Sequence, residues 1–356
     1  MFVKGLKGVV AVETAIASVD GEKGELRYRG RLLQDVLKEG ATFESVAAYL
    51  WGSEVDRVKS ILRESMEWSE EERAFLLSLP KTISIMDSLR TMMSIQATSS
   101  FLKKSLAEQA IFLTAKAAVY VAAIYRMHLG KTIIFPQRDQ GFVWNYLNMI
   151  HGNEPTAVQV EPLETYMVAT MEHGLNASTF AARVTISSES DLPSAVVSAL
   201  GTMKGPLHGG APSGVLALLD EISEQGSIEQ VIEQKLQQGE KIMGFGHRIY
   251  KTEDPRSIIL RDTCMRLTSE DMWLKLATQA EKVIIDLLEQ HKPGRKLYTN
   301  VEFYAAAIMR STNLPPELFT PTFSVARMVG WTSHGIEQLQ DNVIFRPEST
   351  YIGKFE

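Results

Sequence analysis

From Leu106 onward the apolar positions Ala110, Leu113, Ala117, Val121 and Ile124 fall at steps of three and four, which places one stripe on a helix face. The same spacing recurs over Val58 to Met66, Val160 to Met171 and Val325 to Ile336, and predicts helices there. Ahead of them, an alternating segment around Val9 to Ile16, the turn dipeptide Asp20-Gly21 and the run Glu25 to Tyr28 predict a small β-hairpin. Pro80, Pro136, Pro155, Pro193, Pro206, Pro212, Pro293 and the pair Pro315-Pro316 fall between periodic segments, where a missing N–H does least harm. The pattern is that of an all-α protein with many medium helices, short loops and a minor N-terminal β-hairpin. Its most apolar stretch, Ala117 to Tyr125, is bounded by Lys116 and Arg126 and falls far short of the ~20 residues that cross a bilayer. It predicts a buried helix, and no membrane partner.

A chain of 356 residues is long for one core, and about 150 residues per domain suggests two. With no repeat or low-complexity linker to divide it, the best joints are the Gly/Pro-rich stretches Gly205 to Pro212 and Asn313 to Pro316. They mark a middle segment, about 212–312, that could move against the rest, 1–211 and 313–356. Hinge closure of that kind suits a reaction that must exclude water. A hydrophobic fraction of 45% and a charged fraction of 22% are ordinary for a globular protein. The net charge of −6 and the absence of a basic block exclude nucleic acid as the main partner. The single cysteine, Cys264, cannot form an internal disulfide, and Met1 to Val12 lacks the apolar run and cleavage site of a secretory signal. A cytoplasmic protein is expected.

Candidate chemistry begins with histidines set among glycines: Gly205-Pro206-Leu207-His208-Gly209-Gly210 and Gly244-Phe245-Gly246-His247-Arg248, with His173-Gly174 a weaker third. Glycine lets a ligand approach the backbone closely and weakens helices, so function is favoured for the first two over a cap or a polar niche. The cap or niche is preferred for His128, His151, His291 and His334, which have no such setting. Asp254-Pro255-Arg256 reads as a helix start, with Asp as N-cap and Pro at the first position. Arg256 then stands where the helix dipole disfavours a cation, which a bound anion or a solvated surface position would each explain. Arg183, Arg310, Arg327 and Arg346 also lie in apolar or Pro-bounded settings; together they suggest a polyanionic small ligand, and singly each suggests a structural ion pair. Gly130-Lys131-Thr132 lacks the glycine spacing of a P-loop, and GxSxG, HExxH and paired Cys/His metal motifs are absent from the sequence.

The motifs GPLHGGAP at 205–212, GFGHRIYKTEDPR at 244–256, LYTNVEFYAA at 297–306, TFSVARMVGW at 322–331 and IFRPE at 344–348 resemble, in that order, the signatures of citrate synthases. The likeness extends to EHGLNASTFAARV at 172–184 and DGEKGELRYRG at 20–30, and is strongest to short bacterial citrate synthases and 2-methylcitrate synthases. It implies an all-α fold with a small helical domain inserted in a large one. It also implies condensation of acetyl-CoA with oxaloacetate, followed by hydrolysis of citryl-CoA to citrate and CoA. By motif, the resemblance assigns catalysis to His208, His247 and Glu302. His208 would stabilise the enolate, His247 would protonate the ketone oxygen, and Glu302 would be the base, at a position where the family usually has aspartate. It assigns oxaloacetate binding to His173, Asn176, Arg256 and Arg327, with Arg346 contributed across subunits of a homodimer. Lys251, Lys204 and Gly246 would contact CoA, within loops at 204–210 and 241–251. CoA enters as co-substrate, and no permanently bound cofactor or metal is implied. The start of the chain near the family's common core implies a simple dimer without NADH control. Two alternatives stay open: a 2-methylcitrate synthase taking propionyl-CoA, and a weakly active or non-catalytic dimer binding CoA or citrate, which Glu302 motivates.

Overall fold

The computed structural model describes residues 2–209, 211–247, 249–267, 269, 271–294 and 297–355, the side chains of 211–213 excepted. Three short strands come first: β1 (Ala17–Asp20), β2 (Glu25–Tyr28) and β3 (Arg31–Leu32). They form an antiparallel sheet in that order, with Ala17 opposite Tyr28 and Asp20 opposite Glu25. Asp20 Oδ1 accepts from the N–H groups of Glu22 and Lys23 (3.1 and 3.0 Å), which sets the turn and therefore the register. The strand begins at Ala17, and one further bond joins Arg29 N–H to the Ile16 carbonyl (2.9 Å), so Val9 to Ala15 of the segment Val9 to Ile16, expected as part of the hairpin, lies outside the sheet.

The helices follow: α1 (Leu33–Lys38), α2 (Phe43–Trp51), α3 (Val55–Ser65), α4 (Glu70–Ser78), α5 (Ile85–Ser94), α6 (Leu106–His128), α7 (Phe142–His151) and α8 (Ala157–Thr170). Next come α9 (Ala177–Ser187), α10 (Leu192–Met203), α11 (Ala211–Gln225), α12 (Ile228–Gln237), α13 (Pro255–Leu267), α14 (Met272–His291), α15 (Val301–Ser311) and α16 (Phe319–Gln340). The all-α reading holds, and its four periodic segments lie in α3, α6, α8 and α16.

Serine-x-x-glutamate starts α4 and α6: Ser69 with Glu72 and Ser105 with Glu108 exchange side-chain and backbone bonds as capping boxes. Helix α6 is long and apolar enough to cross a bilayer, but 89% of its most apolar window is buried inside the protein. It runs past both charges expected to bound it. Lys116 is buried against Glu72 (2.7 Å), and Arg126 donates to the carbonyl of Ile150 (3.0 Å), so neither charge needs water. Pro162 sits inside α8, where the proline pattern had left no interruption.

α16 packs on α6, α9 and α10 and forms one side of the core, while α11, α12, α13, α14 and α15 pack chiefly on one another. α8 touches both α13 and α15 and so borders the two groups. Of the expected Gly/Pro joints, Gly205 to Gly209 lies in the loop between α10 and α11 while Pro212 falls in the first turn of α11, and Asn313 to Pro316 lies between α15 and α16.

Candidate active site

The loop before α13 and the start of α15 are tied together by backbone. Phe245 bridges Thr299 in antiparallel fashion, Gly246 N–H donates to the Tyr298 carbonyl (2.7 Å) and Asn300 N–H to the Gly244 carbonyl (2.9 Å). Gly244 and Gly246 take φ of +89° and +86°, which other residues adopt only with strain. Asn300 then acts twice. Its Oδ1 accepts from Glu302 N–H (3.1 Å) as the N-cap of α15, and its Nδ2 donates to the Gly246 carbonyl (3.0 Å). His247 and Glu302, distant in sequence, are thereby held on one scaffold.

His247 Nδ1 accepts from the N–H groups of Ile249 and Tyr250 (3.0 and 3.1 Å). An acceptor at Nδ1 puts the ring proton on Nε2, which lies 3.8 Å from Asp254 Oδ2. Burial, with the Arg256 charge, lowers the ring to about 4, so it is neutral near pH 7 and presents an N–H donor. Asp254 is buried; it accepts from Arg256 N–H at the start of α13 (3.0 Å) and grips the guanidinium through Nε (3.0 Å) and Nη2 (2.7 Å). The first-turn cation is thus matched by its own capping carboxylate.

Opposite lies His173, whose Nε2 is 3.0 Å from Tyr250 Oη and whose ring centre is 6.0 Å from that of His247. Burial first, then the charges of Arg256, Arg327 and His247, holds His173 well below the ordinary histidine range. Arg327, on α16, is 1% exposed and donates Nε to the Thr170 carbonyl (2.7 Å). Its guanidinium lies 4.7 Å from the Phe323 ring centre, and among the described residues its Nη atoms have no hydrogen-bond partner, which leaves them for a ligand.

His208 is reached from the same helix. Its Nε2 is 2.8 Å from Ser178 Oγ, which accepts from Trp331 Nε1 (3.0 Å), one turn beyond Arg327, and donates to Asn176 Oδ1 (2.8 Å). Burial, and the Arg327 charge, lowers His208 to about 4. Its neighbour Gly209 has no room for a side chain: a Cβ would sit 2.2 Å from the Met203 carbonyl oxygen. Glu302, in the first turn of α15, lies within range of the Arg256 and Asp254 charges. Burial raises its carboxyl above the ordinary value, against the Arg256 charge and its own backbone N–H, and Asp254 adds to the rise.

The family model for the citrate synthase C-terminal domain matches residues 5–348. Citrate synthase 2 of Bacillus subtilis is 36% identical over 366 residues, covering 98% of this chain and 95% of its own. The chain belongs to the citrate synthase family. The crystal structure of citrate synthase from Thermotoga maritima superposes with a TM-score of 0.87 at 35% identity, covering 100% of this chain and 97% of that one. The Thermoplasma acidophilum citrate synthase, in a ternary complex with carboxymethyl coenzyme A and oxaloacetate, superposes with a TM-score of 0.90 at 25% identity, covering 100% of this chain and 97% of that one. Like its citrate synthase relatives, the chain is an enzyme of the acyl-transferring condensation type.

Most of the other residues singled out in the sequence are engaged with partners of their own. Asn176 spends its amide on the cap of α9, accepting from Thr179 N–H (3.1 Å) and donating to the Gly174 carbonyl (3.2 Å); it orients Ser178 and has no free donor to offer. Lys251 pairs with Glu22 on the hairpin turn, and Lys204 pairs with Asp87 on α5 (2.5 Å). Arg346 lies exposed on the C-terminal tail and lines a groove with Phe180 and Val184 of α9; among the described residues it has no ion pair. Arg183 belongs to a structural network with His334, Gln338 and Glu337. Gly210 and Arg248, within the two histidine motifs, lie outside the described residues. Tyr250, Ser178 and Trp331 had no sequence signal of their own, because their partners come from other segments. Asp254 had one, its capping position, which hid its grip on Arg256.

Proposed function

We propose that the protein condenses acetyl-CoA with oxaloacetate and hydrolyses the citryl thioester to citrate and free CoA. The supporting observation is the arrangement of His247, with its donor tautomer set by two backbone N–H groups, on the same scaffold as Glu302. Glu302 removes a proton from the acetyl methyl. Its raised pKa makes it a stronger base once ionised. His208 donates to the thioester oxygen as the enolate forms. When the Ser178 hydroxyl turns its proton to Nε2, the His208 proton resides on Nδ1, and the Trp331 N–H keeps the hydroxyl oriented.

The enolate carbon attacks the ketone carbon of oxaloacetate while the ketone oxygen takes the Nε2 proton of His247. The N–H donors of Ile249 and Tyr250 at Nδ1 stabilise the charge left on that ring. Water then cleaves the citryl thioester and CoA leaves as the thiol. The carboxylates of oxaloacetate bind the free edge of Arg327, Arg256 and His173. Lys251, Lys204 and Gly246 serve CoA, the lysines by exchanging Glu22 and Asp87 for phosphate. Arg346 acts in the partner's site of a cytoplasmic homodimer, and closure of residues 212–312 over 1–211 and 313–356 excludes water.

A thiol-release assay tests this. Release should require oxaloacetate and be faster with acetyl-CoA than with propionyl-CoA. Faster release with propionyl-CoA identifies a 2-methylcitrate synthase, since one methyl is worth only ~1–3 kcal/mol of discrimination. No release with either substrate refutes the proposed reaction.

A further inference from the structure

The hairpin of β1 and β2 touches both histidine-bearing walls of the cleft. At its base, Tyr28 Oη donates toward the carbonyls of Val168 and Glu172 (3.0 Å each), which fixes the segment leading into His173. Along its length, Val19 packs on Gly174: a Cβ on that glycine would lie 3.2 Å from Val19 Cγ2. At its tip, the Gly21 carbonyl accepts from Lys251 N–H (2.9 Å), and Glu22 pairs with the Lys251 side chain. The tip and the 249–252 segment are in close backbone contact. A Cβ on Gly21 would stand 2.3 Å from the Ile249 carbonyl oxygen, and one on Gly24 2.5 Å from Thr252 Oγ1.

Ile249 is also one of the two residues whose N–H groups hold His247 Nδ1. A direct line therefore runs from Gly21 through Ile249 to the ring that polarises the ketone. We propose that the N-terminal hairpin is a clasp that sets the distance between the His173 wall and the His247 wall, and that Gly21 is a positioning residue for oxaloacetate. The tip reaches from the N-terminal segment to residues of the middle one, so the clasp holds the two sides of the cleft in register for the proposed condensation, on which this inference rests.

Gly21 has an ordinary backbone conformation, so alanine there introduces no φ strain, and any effect comes from the contact with Ile249. Ordinary contact begins at 3.4 Å and the added carbon would sit at 2.3 Å, which requires a shift of 3.4 − 2.3 = 1.1 Å. Misplacement of about 1 Å in a reacting group costs on the order of a hundredfold in rate.

The test compares wild type and Gly21→Ala by kcat/KM for oxaloacetate, oxaloacetate affinity by calorimetry, hydrogen exchange at the Lys251 amide, and the imidazole nitrogen-15 shifts of His247. Gly21→Ala should lose about a hundredfold in kcat/KM. It should also bind oxaloacetate more weakly, expose the Lys251 amide to exchange and mix the His247 tautomers, with a melting temperature close to wild type. Asp20→Ala, which removes the side chain shaping the tip, should move each readout in the same direction by a smaller factor, and serves if Gly21→Ala does not fold. Wild-type kinetics in both variants overturns the clasp, as does a protected Lys251 amide in both. A wild-type protein that neither binds oxaloacetate nor releases CoA overturns the proposed reaction instead, and the exchange measurement still decides whether the hairpin tip holds Lys251.

Discussion

Asn300 gives the sharpest test of how His247 and Glu302 are held together. Replacing it with alanine removes two interactions: the cap on Glu302 N–H at 3.1 Å and the donor to the Gly246 carbonyl at 3.0 Å. The cap is worth about 1 kcal/mol and the second bond about 1 kcal/mol, so Asn300→Ala should lose roughly 2 kcal/mol, less any coupling between neighbours. Asn300→Asp keeps an oxygen for the cap but has no N–H for Gly246. It should lose only about 1 kcal/mol. Activity should not follow stability. Both variants lose the side-chain bond that fixes the Gly246 carbonyl while the backbone bonds to Gly244 and Tyr298 remain, and a relative shift near 1 Å at His247 predicts a fall in kcat of about a hundredfold in each. Urea unfolding gives the first quantity and thiol release at saturating substrates the second. An Asn300→Asp protein with wild-type kcat would refute the scaffold, because the cap alone would then be sufficient.

Three further outcomes follow from the cleft. Glu302→Gln should lower kcat on the order of a thousandfold, and Glu302→Asp, which withdraws the carboxylate by one methylene, on the order of a hundredfold; an Asp variant faster than wild type in the thiol-release assay contradicts the placement of Glu302. Because burial raises Glu302 and catalysis needs its ionised form, kcat/KM for acetyl-CoA should fall on the acid side with a midpoint above 4.5. His247 and His208 stay neutral down to about 4 and leave that limb to one group, so a pH–rate midpoint below 4.5 counts against this. Ser178→Ala orphans the Trp331 N–H, at a cost of ~1–3 kcal/mol, and frees His208 Nε2; denaturation should show the loss, and kcat/KM for acetyl-CoA should drop at least about tenfold.

Local pattern carried the helices because burial of one face at a 3.6-residue period leaves its mark on neighbouring positions. It failed where the deciding partner was remote. Lys116 and Arg126 read as boundaries, yet Glu72 and the Ile150 carbonyl let the chain bury both within α6. Val9 to Ile16 alternates, but the chain after β2 turns at Arg29 and Gly30 (φ +43° and +86°), which leaves Val9 to Ala15 no strand to pair with. Glycine marked His208 and His247, and the structure gives that mark a steric reason at Gly209 and Gly246. His173 carried the weakest signal of the three and lies between Tyr250, His247 and two arginine charges. Arg256 in a first turn was a conflict with the helix dipole that Asp254, two residues away, resolves. Lys251 and Lys204 show the opposite limit: their acidic partners, Glu22 and Asp87, are far away in sequence, and nothing local announces them.

The most direct measurement is a crystal structure of the protein with oxaloacetate and carboxymethyl coenzyme A. The Glu302 carboxylate should stand within about 3 Å of the analogue atom that replaces the acetyl methyl, with the His208 ring at the carbonyl of the analogue and His247 Nε2 at the ketone oxygen. A Glu302 side chain turned out of that cleft would leave the methyl proton without an acceptor and would contradict the proposed condensation.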